Sequence, residues 1–390
     1  MQEITNQIHE LQRANNWQGM IQLLMPICQP DQWGWQEPEL MSALGFAHSQ
    51  MGNLDQAEQC YLRWIEIEPD RAAPFYCLGY IFYLRADWRE AIRWFEQALK
   101  IFPDYLVCLY RLAYAYFEFN KARESIPLLE RVVDLYRTHT DEDWQRRNRK
   151  NYLKSCFLLA KSFYRKRRYQ EALQVIDTLF REDEKEVIPR EHKYYARGKI
   201  LAAQARYEEA LSNLQKALHP RHPQPYVLDQ IGRVYHQMEK FDKALGCYRQ
   251  ALSIRRFPYI LVNRAETYLA LGKEPPALRD LHEALKRDCK GKHKIYLRLG
   301  QISLNAGRER EAKHYFESAI HWKRKTYNAD YAEAHYALAQ LLVRSGDKTA
   351  AKQELQTALE IDPNLEWDAA LAEALGLPSV PDGISTTEVF

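Results

Sequence analysis

Two histidines stand three residues apart in HPRHP, residues 219–223, a spacing that can begin a metal site. Two ligands do not close one, because a structural or catalytic zinc takes three or four protein donors. The adjacent carboxylates Glu208 and Glu209 sit in YEEA, where a solvated turn is expected rather than an acid–base pair. The cysteines at 28, 60, 77, 108, 156, 247 and 289 form no C-x-x-C pair, so neither a redox motif nor a zinc site is indicated. No glycine-rich phosphate loop, H-E-x-x-H or G-x-S-x-G is present, and each of those chemistries depends on its own spacing. The chain is expected to be no enzyme and to need no cofactor or metal.

The chemistry that remains is recognition. LYRLAYAYFEF, residues 109–119, holds Tyr110, Tyr114, Tyr116, Phe117 and Phe119. A helix facing one core needs only about half its surface apolar, so some of these rings have another task. Tyr and Arg dominate interface energies because they join a large contact area to a polar handle.

Internal periodicity shows which elements carry these residues. Small residues recur at Gly45, Gly79, Ala113, Ala160, Gly198, Gly232, Ala265, Gly300 and Ala339, with Ile8 as the equivalent in a weak first copy. The gaps are mostly 33–39 residues, with one of 47. A second small residue, Ala57, Ala91, Ala172, Ala210, Ala244, Ala277, Ala312 or Ala351, follows twelve residues later. Two antiparallel helices approach closely where side chains are small, so the small positions mark helix pairs. With FYCLGYIFYLRADWREAIRWFEQALKIFPD (75–104) as the clearest copy, the pattern resembles the tetratricopeptide repeat: W-x2-L-G-x2-Y, then A-x3-F, then P over 34 residues. About ten copies cover roughly 1–365.

The resemblance implies an all-α protein, a right-handed α-solenoid (superhelix) of helix-turn-helix repeats. The organisation expected is an N-terminal block of about four repeats over 1–136, an interruption and long helix start over 137–152, and a C-terminal block of about six repeats over 153–365. A capping helix over 366–377 and a flexible tail over 378–390 complete it. In the interruption, Thr140 with Asp143 reads as a capping box that opens one long helix over 141–166.

A helix turns about 100° per residue, so positions 4, 7, 8 and 11 of each first helix form one stripe and positions 2, 5, 9 and 12 another. The first stripe carries the signature and packs. The resemblance implies that the second lines a concave groove. Its residues are Tyr76, Tyr80 and Tyr83 in the third repeat and Tyr110, Tyr114 and Phe117 in the fourth. Lys154, Phe157, Lys161 and Tyr164, with Arg165 beside them, follow in the fifth, Tyr195 and Lys199 in the sixth, and Tyr226 and Arg233 in the seventh. These fifteen are the candidate binding residues. The carboxylate clamp of some tetratricopeptide co-chaperones is not matched, because the ninth positions Phe46, Tyr80, Tyr114, Lys161, Lys199 and Arg233 include no Asn.

The net charge of +3 hides an asymmetry. Residues 1–140 hold 12 Lys and Arg against 18 Asp and Glu, residues 141–330 hold 40 against 24, and residues 331–390 hold 3 against 10. Such blocks favour an anionic partner. The leading expectation is an adaptor, scaffold or chaperone that grips a protein or peptide segment, acidic where the groove is basic. The alternative is single-stranded nucleic acid along 141–330, where RRNRK, RKRR and KRDCKGKHK lie, since strand grooves combine aromatic platforms with cations. A peptide-sensing regulator is a further alternative. No run is long and apolar enough to span a membrane, the first residues do not read as a secretory signal, and scattered cysteines fit reduced thiols, so a cytoplasmic location is expected. Oligomeric state is not legible.

Overall fold

A computed structural model of the chain describes residues 1–377; the tail expected at 378–390 lies outside the described residues. Every regular element among them is helical. Ten antiparallel helix pairs follow one another, from Gln2–Arg13 with Trp17–Leu24 to Ala332–Arg344 with Lys348–Ile361, and a short helix, Ala369–Leu375, closes the series. The chain forms two compact units, Met1–Ala217 and Leu218 onward. The first holds six pairs. The second holds four and the closing helix.

One local rule builds each pair. Where the first small residue is glycine, a large side chain sixteen residues later lies directly over it. A Cβ placed on Gly45, Gly79, Gly232 or Gly300 would stand 2.4–2.7 Å from a ring carbon of Tyr61, Phe95, Tyr248 or Phe316. On Gly198 it would stand 2.7 Å from Leu214 Cγ. The close contact is thus small against large; the alanine twelve residues on is buried, and only at Gly198 does it join the contact, the Ala210 carbonyl oxygen standing 3.2 Å from such a Cβ.

A second rule ends each first helix. Seven residues after the small position, the turn residue has positive φ in all ten pairs: Asn15, Gly52, Ala86, Asn120, Arg167, Ala205, Glu239, Gly272, Gly307 and Gly346. That left-handed step reverses the chain into the second helix, and it is free for glycine but strained for alanine.

The interruption is an ordered element. Helix Glu142–Arg165 runs for 24 residues. Its cap is Asp141 rather than Thr140: Asp141 Oδ1 accepts from the backbone N–H of Asp143 at 2.9 Å and of Trp144 at 3.1 Å. The first turns are held from the side. Tyr136 and Tyr152 stack at 4.0 Å, Tyr152 donates to Glu182 at 2.7 Å, and Arg149 donates to the Glu182 carbonyl. The units divide after Ala217.

Candidate functional site

In the first unit the helices Ala72–Leu84 and Leu106–Glu118 build a shelf of rings. Tyr76, Tyr80 and Tyr83 lie at i, i+4 and i+7, so they share one face. Tyr76 stacks on Tyr80 at 6.4 Å and Tyr80 on Tyr83 at 5.6 Å. Tyr83 then meets Tyr114 at 5.4 Å and the edge of Trp88 at 5.6 Å. All four tyrosines are half-buried, with surface left for a ligand. Tyr110 and Phe117, on the same stripe, are 6% and 1% exposed. They form the floor beneath the shelf and offer almost no surface of their own.

Arg111 organises the shelf. Its guanidinium lies 4.9 Å from the Tyr80 ring, 4.8 Å from Tyr83 and 5.5 Å from Tyr110. Its Nε is buried without a hydrogen-bond partner, and no carboxylate among the described residues forms an ion pair with it. Burial pushes the Tyr76 hydroxyl up to about 12 and Tyr83 upward, while the Arg111 charge pulls both back. A half-buried guanidinium over aromatic faces is favourable, yet its in-plane N–H groups still prefer a bidentate anion.

The cations continue along helix Glu142–Arg165. Burial, then the charges of Lys150 and Arg111, push Lys154 below the usual lysine range. Lys161 also falls, through desolvation first and then the neighbouring Arg165, with Glu118 opposing. Arg165 donates to the Phe117 carbonyl at 2.6 Å, and its guanidinium lies 3.4 Å from the Phe117 ring. The Lys161 ammonium stands 4.7 Å from the same ring. Among the described residues neither lysine has a carboxylate partner within ion-pair distance, whereas several arginines of this unit do: Arg85 pairs with Asp55 and Glu58, and Arg131 with Asp104. Phe157 and Tyr195 are half-buried, and Lys199 lies 4.8 Å from Tyr164 and 5.7 Å from Tyr195.

Towards the N-terminus the first unit opens a cleft of about 720 Å³, lined among others by Trp17, Leu40, Phe46, Trp64 and Arg71. Phe46 is 40% exposed and meets Trp17 edge-on at 5.3 Å. Phe46 occupies the ninth position of its repeat, as Tyr80 and Tyr114 do in theirs.

Tyr226 and Arg233 belong to the second unit, whose corresponding face is satisfied from within. Asn263 donates to Asp229 at 2.8 Å, and Arg298 forms two hydrogen bonds, 2.6 and 2.7 Å, with Glu266. Arg233 is exposed. His219 and His222 stack at 5.4 Å. Among the described residues no three His, Cys, Asp or Glu side chains are grouped to hold a metal ion, and no helix is long and apolar enough to cross a membrane. All seven cysteines are free thiols.

Sequence reasoning missed Arg111 and Trp88. Arg111 had a signal: it is the one charge between Leu106 and Ala115, with no acid three or four residues away on either side.

Helix pairs that follow one another in this way define a class, the helical-repeat protein. The family follows directly. Models of the tetratricopeptide repeat match residues 38–71, 70–138, 193–256 and 303–374, more than half of the chain, and the chain belongs to that family. Among curated proteins, the BBSome complex member BBS4 homolog of Drosophila melanogaster is 26% identical over 186 residues. That stretch is 44% of this chain and spans only 30% of the relative. Among solved structures, yeast Tom70 aligns with 88% of this chain and 88% of its own at 14% identity and TM-score 0.42. PilF of Pseudomonas aeruginosa aligns with 56% of this chain and 91% of its own at 15% identity and TM-score 0.43. YrrB, described as a TPR protein with an unusual peptide-binding site, aligns with 50% of this chain and 90% of its own at 18% identity and TM-score 0.41.

Proposed function

We propose that the first unit binds an acidic segment of a partner protein on the shelf of Tyr76, Tyr80, Tyr83 and Tyr114, and that the chain acts as a non-enzymatic scaffold. One observation carries the reading. Arg111, whose charge acts on Lys154, shares with it a partly desolvated place, and neither has a carboxylate partner among the described residues. Keeping like charges together without a carboxylate costs stability. A ligand that supplies the carboxylate recovers that cost on binding. The tyrosine rings receive the apolar side chains of the same segment, and Lys161 and Arg165 extend the cationic track.

Selection of a displayed random 12-residue peptide library on the full chain tests this. Enriched peptides should combine Asp or Glu with apolar residues and should lose at least tenfold in affinity to Tyr80→Ala/Tyr114→Ala at unchanged helicity. Enrichment of sequences without acids, or affinity indifferent to that variant, refutes it.

A further inference from the structure

Two lysine-rich runs, 290–294 and 322–327, meet at one corner of the second unit. The first is the start of helix Lys292–Asn305 and the loop before it, with Lys290, Lys292 and Lys294. The second is the end of helix Glu309–Tyr327, which at 19 residues outlasts the 14 of its pair partner and brings Trp322, Lys323, Lys325 and Tyr327. Tyr327 donates to the Lys290 carbonyl at 3.2 Å and fastens the two together. The ammonium of Lys292 lies 4.4 Å from the Trp322 ring, that of Lys325 4.8 Å from it, and that of Lys323 4.7 Å from Tyr327. His293, 3% exposed with Nδ1 unpaired, packs against the Tyr327 ring at 5.4 Å. Burial lowers its pKa first, and then the charges of Lys323 and Lys294, one from each run.

None of the five lysines has a carboxylate partner among the described residues. The acids nearby are engaged: Asp288 accepts from the backbone N–H of Lys290 and Gly291, Asp330 pairs with Arg324 and His335, and Glu283 pairs with Arg256 and Arg287. The first turn of helix Lys292–Asn305 holds no acid of its own, and the carboxylate just before its N-cap, Asp288, is taken up by the backbone N–H groups there rather than by a lysine. Tyr327 is 49% exposed and Trp322 half-buried.

We propose that this corner, Lys290, Lys292, Lys294, Lys323 and Lys325 around Trp322 and Tyr327, is a docking surface for single-stranded nucleic acid, separate from the peptide shelf. Uncompensated ammonium groups neutralise successive phosphates and release counterions. Aromatic rings among them supply stacking platforms that tolerate any base. Each ring here has a lysine ammonium within 5 Å, and a single strand presents a phosphate and a base together at every step, so it engages charge and ring in the same repeat, and for that reason nucleic acid is favoured.

The test is fluorescence anisotropy of a 5′-fluorescein-labelled 20-nucleotide poly(U) RNA with the full chain, across a salt series. Wild type should bind with a log–log salt slope of about −3.5, since each of the five lysines on a single strand contributes roughly 0.7. Lys290→Gln/Lys292→Gln/Lys323→Gln/Lys325→Gln should weaken binding at least thirtyfold at 100 mM salt and flatten the slope. Trp322→Ala should weaken it about fivefold and leave the slope intact, which separates stacking from charge. Lys154→Gln/Lys161→Gln, which disables the peptide shelf, should leave RNA affinity unchanged, so failure here and failure of the shelf are read independently. Circular dichroism and melting temperature check that each variant is folded, and the exposed pair Lys290→Gln/Lys325→Gln serves where the fourfold change is not. No RNA binding, binding indifferent to these lysines, or tighter lysine-dependent binding of poly-glutamate than of RNA overturns the proposal, the last by naming an acidic protein as the occupant.

Discussion

The Cα of Gly79 lies under the ring of Phe95, so close that a Cβ there would stand 2.7 Å from Cδ1 and 2.8 Å from Cε1. The pairing is graded by size along the chain. Four of the five glycines at this position are followed sixteen residues later by Tyr or Phe, and Ala113, Ala160, Ala265 and Ala339 by Leu129, Ile176, Leu281 and Leu355. All of these larger residues are at most 3% exposed. Gly79→Ala should therefore destabilise the fold by about 1–3 kcal/mol through overpacking. Gly79→Ala/Phe95→Leu should recover most of that loss, with a coupling term visible in a double-mutant cycle by urea unfolding. Strictly additive effects would show that the two residues do not share the site.

The turn rule gives a prediction of opposite sign. Ala86 and Ala205 hold φ of 56° and 59°, where an L side chain is strained by about 1 kcal/mol. Glycine removes the strain but adds freedom to the unfolded chain. The net should favour Ala86→Gly and Ala205→Gly by roughly 0.5 kcal/mol each, read as a rise in the urea midpoint at unchanged slope. A fall would mean that the methyl groups hold contacts worth more than the strain.

These two rules also show how far the sequence reaches. The helix pairs were legible because small and large residues recur with the repeat, and the family signature rests on the same spacing. The shelf was only half legible. Periodicity tells which side of a helix Tyr110 and Phe117 occupy, not whether the next helix covers that side. Lys161 and Arg165, brought over Phe117 by helix Glu142–Arg165, do cover it. Arg111 escaped because it lies beside the groove stripe rather than on it, and its importance comes from rings in a different repeat.

Asp229 is 5% exposed, and burial pushes its carboxyl up to about 6, against the pull of the Asn263 hydrogen bond and the Arg233 charge. The unfolded value is about 3.9, so the folded chain binds this proton more tightly. The ionised form weakens the fold by an amount that is absent below about pH 4, grows up to about pH 6 and is constant above it. Asp229→Asn should stabilise the protein by up to about 3 kcal/mol at pH 7.5 and lose that advantage by pH 4. Thermal melts at both pH values check it; equal gains at both would assign the effect to packing instead.

His335 shifts the other way in its consequence. Burial pushes its pKa down, but hydrogen bonds to Glu354 Oε2 at 2.6 Å and Asp330 Oδ1 at 3.0 Å, with the two charges, raise it overall. Arg324 also bonds Asp330 from helix Glu309–Tyr327. A histidine whose folded value exceeds its unfolded value of about 6.5 stabilises fully below that pH. The contribution then disappears as pH rises through the folded value. The melting-temperature gap between wild type and His335→Gln should be largest near pH 6 and shrink by pH 9. A gap that holds steady or widens would contradict the bridging imidazolium.

The peptide shelf rests on Arg111 and Lys154 having no carboxylate partner among the described residues. The most direct measurement is the dissociation constant of an acidic 12-residue peptide selected on the full chain, compared between wild type and Lys154→Gln/Lys161→Gln, alongside the melting temperature of each without peptide. The double variant should bind at least tenfold more weakly and melt no lower, or higher, because two desolvated and unpaired charges are gone. Unchanged affinity with a lowered melting temperature would make these lysines part of the fold and not of a binding site.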